Sequence, residues 1–84
     1  MRYRYITIEQ RNGEIFEGKP VYRIFNNKSG DQIGMISFYK AWNQYVHSSS
    51  EGCVFNESCL RDVIDFIKKV NSGTVSDTSG RPIK

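Results

Sequence analysis

"NESCLRDVIDFIKKVNSG", residues 56–73, decides the fold, because its apolar residues recur with the period of an amphipathic helix. Asn56 is suited to cap the start of this helix and Gly73 to end it. Glu57 lies in the first predicted turn and Lys69 in the last, where the helix dipole favours each charge. We predict that the helix packs on a sheet through a stripe formed by Leu60, Val63, Ile64, Ile67 and Val70, flanked by Cys59 and Phe66.

The residues before this helix have the composition of strands and turns. Strand formers dominate five segments, at 3–10, 21–26, 32–39, 44–47 and 53–55. Asn12 with Gly13, and later Gly30, supply the permissive backbone of turns. Residues 15–20 read as an edge piece or a loop, because Gly18 and Pro20 argue against a central strand.

These elements predict an α+β fold, in which a small antiparallel sheet of three to five strands packs against one C-terminal amphipathic helix. An 84-residue chain has room for one domain, which we place at residues 1–73. Residues 74–84 lack periodicity and large apolar groups, so they are predicted to form a disordered tail.

Both faces of the predicted sheet are apolar, although one helix covers only one face. In residues 21–26, for example, Val21 and Phe25 point to one side, and Tyr22 and Ile24 to the other. Three arrangements can absorb the second face: the sheet curls around its own loops, two copies pack sheet to sheet as a homodimer, or the face binds a ligand or partner.

The hydropathy of the sequence excludes a membrane-spanning segment, and its charge is compatible with an anionic partner. The net charge is +3, and residues 1–40 hold seven Lys and Arg against four Asp and Glu. No apolar run approaches the length that spans a bilayer. The first ten residues have no apolar segment typical of a signal peptide. We therefore expect a cytoplasmic protein, in which Cys53 and Cys59 are reduced.

No catalytic or metal-binding pattern stands out in the sequence. His47 is followed by three serines, but neighbouring strand residues point to opposite faces, so His47 and Ser48 are poorly placed for each other. His47, Cys53 and Cys59 lack the spacing of a zinc site. We expect a protein that is not an enzyme, with no cofactor and no metal.

Aromatic residues provide the strongest indication of binding. "FYKAWNQYV", residues 38–46, holds four rings in nine positions. Trp42, in a predicted turn, must fold back over the sheet or stand out, and we expect it to fold back. On that view Trp42→Ala damages the fold, whereas Tyr3→Ala with Tyr5→Ala weakens binding alone. The candidate binding residues are Tyr3, Arg4, Tyr5, Tyr22, Arg23, Tyr39, Trp42 and Tyr45.

A second interpretation of the same residues is nucleic-acid or nucleotide binding. Tyrosines stack on bases, and the neighbouring Arg4 and Arg23 can neutralise phosphates. The sequence has no signature of the common nucleic-acid-binding modules, and its charge is modest for such a protein.

The chain also resembles short bacteriophage and prophage proteins of unassigned function. The similarity runs from residue 19 to residue 70 and consists of a glycine, an aromatic pair, a Trp, a "QY" and a "CL-D--DFI" helix. It is carried by Gly34, Phe38, Tyr39, Trp42, Gln44, Tyr45, Cys59, Leu60, Asp62, Asp65, Phe66 and Ile67. The resemblance implies a small accessory protein that binds and blocks a host or defence protein. We therefore expect a binding module or inhibitor.

Overall fold

The computed structural model describes residues 1–73 as a four-stranded antiparallel sheet, a two-stranded ribbon and one helix. The sheet has the order β1-β4-β5-β6, and β2 pairs with β3. The bounds are β1 Ile6–Glu9, β2 Ile15–Phe16, β3 Lys19–Pro20, β4 Tyr22–Asn26, β5 Gln32–Tyr39, β6 Gln44–Ser49 and α1 Glu57–Ser72. The predicted α+β class is confirmed, while the predicted tail at residues 74–84 lies outside the described residues.

Short turns connect β2 to β3, β4 to β5 and β5 to β6, and each of these pairs is antiparallel, whereas β1 reaches its partner β4 through the β2–β3 ribbon. Asn12 and Gly13 have φ of 54° and 65°, and Gly30, before β5, has φ of 78°. These left-handed values are the ones that Asn and Gly tolerate best. At the β4–β5 turn, the Asn26 side chain also accepts a hydrogen bond from the Lys28 N–H over 2.8 Å.

A bulge in β5 changes the alternation that the sequence predicts. Ile24 pairs with Gly34, but Phe25 pairs with Gln32, so Ile33 is the extra residue. The extra residue turns the buried Ile33 side chain toward the core cluster. In a regular strand Ile33 would lie on the opposite face, with Met35.

One sheet face and α1 enclose the hydrophobic core. Phe66 is 1% exposed and meets the Tyr22 ring edge-on, with 4.9 Å between centroids. The side chains that build this core are Ile6, Ile8, Tyr22, Ile24, Ile33, Ile36, Tyr45, Cys59, Val63, Phe66 and Val70. Large rings supply much of the buried area in so small a domain.

The predicted orientation of the helix was partly wrong. Val63 is buried, as expected, but Ile67 is only half-buried, Leu60 is 43% exposed and Ile64 is 54% exposed. The apolar stripe is too wide to face the sheet in full. The Phe66 ring occupies the centre of the contact, so the helix is rotated and Leu60 and Ile64 lie on its flank.

The predicted ends of the helix are confirmed. The Asn56 side chain accepts a hydrogen bond from the Cys59 N–H over 2.8 Å, and Gly73 ends the helix at φ 77°. The predicted short strand at residues 53–55 does not form. Instead, Phe55 packs against the core and meets the His47 ring, with 5.0 Å between centroids.

The second sheet face is covered in part by the loop before β2. The Arg11 guanidinium lies 3.8 Å from the centroid of the Phe25 ring, and Arg23 forms an ion pair with Glu14. Loop packing therefore absorbs one end of this face. Within residues 1–73, α1 is neither long nor apolar enough to cross a membrane.

Candidate binding surface

Trp42 stands out from the protein at the turn between β5 and β6. The turn is a 3-10 segment, Lys40–Trp42, and it is closed by Asn43, whose N–H donates to the Lys40 carbonyl over 3.1 Å. Trp42 is 66% exposed, and its ring meets Tyr39 edge-on with 5.0 Å between centroids. The expectation that Trp42 folds back over the sheet was wrong, because the turn carries it beyond the last strand pair.

The β2–β3 ribbon exposes two further apolar side chains. Ile15 is 62% exposed and Phe16 is 59% exposed. The ribbon reverses at Glu17 and Gly18, which both have positive φ, and two residues per strand are too few to build a core of their own. Sequence reasoning missed this pair; the available signal was two large apolar residues directly before a Glu-Gly turn.

A groove of about 490 Å³ joins this ribbon to the β5–β6 turn. Lys19 reaches into it from the ribbon, and its Nζ lies 4.9 Å from the centroid of the Phe38 ring. Lys40 lines the opposite wall. The two turns therefore lie at one end of the sheet, and we call the four exposed side chains there the aromatic end: Ile15, Phe16, Tyr39 and Trp42.

The aromatic end combines exposure with rigidity. A Trp on a closed turn presents a large ring that loses little conformational freedom on binding, and Tyr39 braces it from the side. Tyr and Trp are enriched at protein interfaces, because they join a large apolar area to a polar atom. The groove beside them carries two cations from Lys19 and Lys40 and one carboxylate from Glu17.

Two of the predicted binding residues belong to the core. Tyr22 is 1% exposed and Tyr45 is 7% exposed, and the centroids of the two rings lie 6.0 Å apart under α1. The Tyr45 hydroxyl donates to the Pro20 carbonyl over 3.0 Å, and burial raises the pKa of Tyr45. Neither ring face is accessible to a partner.

Tyr3 is half-buried and tied to the helix. Its hydroxyl donates to Asp65 Oδ2 over 2.9 Å. Burial raises the pKa of Tyr3, and this hydrogen bond to Asp65 raises it further. Tyr3 therefore joins the segment before β1 to α1, which is a structural role rather than the binding role predicted for it.

Arg4 and Tyr5 lie at the opposite end of β5 from Trp42. The Arg4 guanidinium carbon is 5.1 Å from the Tyr5 ring centroid, and both residues line a groove of about 470 Å³ with Lys28. Ile33 and Val54 contribute apolar surface to the same groove. The described residues that line it include no carboxylate.

Arg23 lies on the second sheet face and is engaged by Glu14. Arg23 Nε donates to Glu14 Oε1 over 2.9 Å, and Nη2 donates to Oε2 over 2.5 Å. This paired hydrogen bonding lowers the pKa of Glu14. The predicted set is thus divided: Tyr39 with Trp42 at one end, Arg4 with Tyr5 at the other, and Arg23 on the second face.

The cysteines and the histidine do not form a cluster of metal ligands. Cys59 is buried and Cys53 half-buried, both as free thiols. Within residues 1–73, no three His, Cys, Asp or Glu side chains come together in a way that would hold a metal ion. Burial lowers the pKa of His47, whose ring lies against Phe55.

Comparisons with protein-family models, with curated proteins and with solved structures give no match for this chain.

Proposed function

We propose that this protein is a non-enzymatic binding module that docks on a partner protein through its aromatic end. The observation that carries the proposal is the exposure of Trp42 on a closed turn, with Tyr39 packed edge-on against it. Trp and Tyr that enter an apolar pocket of a partner are the residues that most often dominate binding energy.

The chemistry of the surrounding surface suggests how a partner is oriented. Ile15 and Phe16 add exposed apolar area on the ribbon that carries Lys19, while Lys19 and Lys40 place positive charge in the groove. Charges at a rim act mainly on the association rate and on orientation. The resemblance to phage proteins supports a host or defence protein as the partner, with the module acting as an inhibitor.

Affinity capture from a bacterial lysate, followed by titration of the purified partner, tests the proposal. We expect Trp42→Ala to weaken binding at least tenfold, as truncation of a buried interface Trp does. Val54→Ala is the matched control, since Val54 is 88% exposed but lies at the other end of the sheet. A partner that binds Trp42→Ala as tightly as the unaltered protein would exclude the aromatic end as the binding site.

The groove beside Arg4 supports a second candidate function, binding of a signalling nucleotide or of nucleic acid. Arg4 and Lys28 supply cations, and Tyr5 supplies an exposed ring for a base. Phosphate contacts make affinity fall steeply with salt. Titration with a panel of mononucleotides and cyclic dinucleotides at low and moderate salt, with Arg4→Ala as the variant and Arg61→Ala as the control, tests this candidate.

A further inference from the structure

One flank of α1 is apolar and yet exposed. Leu60, Ile64 and Asn71 follow one another at intervals of four and seven residues, so they share one stripe of a helix with 3.6 residues per turn. Ile67 lies on the same stripe and is half-buried. We call this stripe the α1 flank.

Asn71 identifies the side of the sheet toward which the α1 flank faces. Its Oδ1 accepts a hydrogen bond from the backbone N–H of Tyr45, in β6, over 2.9 Å. On the other side of the helix, Asp65 accepts a hydrogen bond from Tyr3, and Lys69 lies against Met1, both next to β1. The α1 flank therefore lies above the outer edge of β6.

β6 is an edge strand with outward-facing backbone groups. In an antiparallel ladder, successive residues point their N–H and C=O groups alternately inward and outward. Ser50 donates inward to the Ile33 carbonyl over 2.9 Å, while the Tyr45 N–H points outward to Asn71. By the same alternation, the N–H and C=O groups of His47 and Ser49 point outward, and no hydrogen bond within residues 1–73 engages them.

The opposite edge of the sheet is covered. The segment before β1 folds back along it, so that the Ile8 N–H donates to the Met1 carbonyl over 2.9 Å and the Tyr3 N–H donates to the Ile6 carbonyl over 2.8 Å. Proteins also protect edges with charged residues or proline, but the sequence of β6, "QYVHSS", contains neither.

We infer that the β6 edge and the α1 flank together form an interface between two copies of this chain. A two-fold axis perpendicular to the sheet pairs β6 antiparallel with its equivalent, so the outward donors and acceptors of His47 and Ser49 meet matching groups. The same axis brings the two α1 flanks together on one side of the joined sheet. Leu60 and Ile64 are then buried against their equivalents.

Self-complementarity selects a second copy as the occupant. β6 has no charged side chain to repel its equivalent. On α1, Glu57 forms an ion pair with Arg61 near the start of the α1 flank, and Lys68 borders the flank near its end. Antiparallel helices place the Glu57–Arg61 pair of one copy beside Lys68 of the other, so two lysines do not face each other. The surface therefore matches itself in hydrogen bonding and apolar area, without an opposing pair of like charges.

Sedimentation of the full chain across a concentration series tests this inference. We expect a particle of twice the 9.7 kDa chain mass. Ile64→Asp should weaken dimerisation at least tenfold, and Val54→Asp, the same change at another exposed apolar residue, should not. Ser49→Pro removes one outward N–H and should also weaken dimerisation, whereas Ser49→Ala keeps that N–H and should dimerise normally.

Circular dichroism shows whether each variant is folded. If Ser49→Pro does not fold, the Ile64→Asp result alone tests the inference. A chain that is monomeric at every concentration, or a dimer unaffected by Ile64→Asp, overturns the inference. If Met35→Lys disrupts the dimer and the other variants do not, the interface lies on the second sheet face. That result also overturns the inference. Trp42→Ala should remain dimeric, so this result is independent of the proposed function.

Discussion

Trp42 and Tyr22 occupy opposite environments in the same domain. Tyr22, in β4, packs against Phe66 of α1 and is 1% exposed, whereas Trp42 lies beyond the last strand pair and is 66% exposed. Position relative to the strand ends, rather than ring size, decides which of them stabilises the fold. At the residue scale, the aromatic side chains that stabilise the fold are therefore different from those of the proposed binding site.

We predict that Trp42→Ala leaves the fold intact. Exposed substitutions away from caps and buried networks usually change stability by about 0.5 kcal/mol or less, and Trp42 is 66% exposed, with its ring edge-on to Tyr39. A thermal melt of the variant should superimpose closely on that of the unaltered protein. A large fall in melting temperature would restore the earlier expectation that this ring is part of the core.

Gly34→Ala should destabilise the protein although Gly34 does not have a positive φ. A Cβ atom there would lie 2.9 Å from the Ser48 carbonyl oxygen and 3.2 Å from Ile24 Cδ1. The backbone oxygen cannot move without disturbing the β5–β6 ladder, so we expect a cost of about 1–3 kcal/mol, as in other overpacked sites. Urea denaturation measures this cost. Gly52→Ala is the comparison variant, because Gly52 has a φ of 77° but no atom near an added Cβ. Its cost is therefore due to backbone conformation alone, whereas the cost of Gly34→Ala is due to the steric clash.

His47 should make stability depend on pH near neutrality. Burial lowers its pKa in the folded protein below the usual 6.5, so the folded state binds a proton less readily than the unfolded state. The contribution of neutral His47 to the free energy of unfolding is therefore complete above pH 6.5, and it is lost as the pH falls through the folded pKa. Between about pH 7 and about pH 5, unfolding free energy should fall more steeply in the unaltered protein than in His47→Gln. Parallel pH profiles would contradict this expectation.

At the scale of elements, two faces of α1 have different environments. One face, centred on Phe66, completes the core, and the α1 flank overhangs the β6 edge. The rotation that buries Phe66 exposes Leu60 and Ile64. The turn between β5 and β6 shows a similar division, because its strands carry core residues and its tip carries Trp42.

Substitutions on the two faces of α1 should therefore differ sharply in their effect. Phe66→Ala removes a fully buried ring and should cost about 3–5 kcal/mol. Ile64→Ala should cost less than about 1 kcal/mol in the monomer, because Ile64 is 54% exposed. Chemical denaturation at low protein concentration compares the two variants. Equal costs would mean that the helix is rotated relative to the arrangement described above.

At the scale of the whole molecule, the covered and uncovered surfaces of the sheet organise the protein. α1 covers one face, the first residues cover the β1 edge, and the loop carrying Arg11 covers part of the second face. The aromatic end, the Arg4 groove and the β6 edge occupy separate parts of the surface. The proposed partner site at the aromatic end and the inferred pairing along β6 therefore use separate surfaces of one small domain.

The sequence by itself determined the order of the four sheet strands and the helix, the limits of the helix and the positions of the turns. These features depend on local physical chemistry: the Asn56 cap, the Gly73 end and the Asn12-Gly13 turn involve backbone conformations and hydrogen bonds between near neighbours. Strand alternation likewise predicted that both sheet faces are apolar.

Only the tertiary structure decided which apolar residues are buried and where the rings lie. A bulge at Ile33 reversed its face, the fit of Phe66 against Tyr22 set the rotation of α1, and the tight β5–β6 turn carried Trp42 outward. Each outcome depends on packing between segments distant in sequence. For an apolar residue at the margin of a stripe, helix propensity is the same whether the side chain faces the core or the solvent. The sequence pattern alone therefore cannot choose between the two orientations.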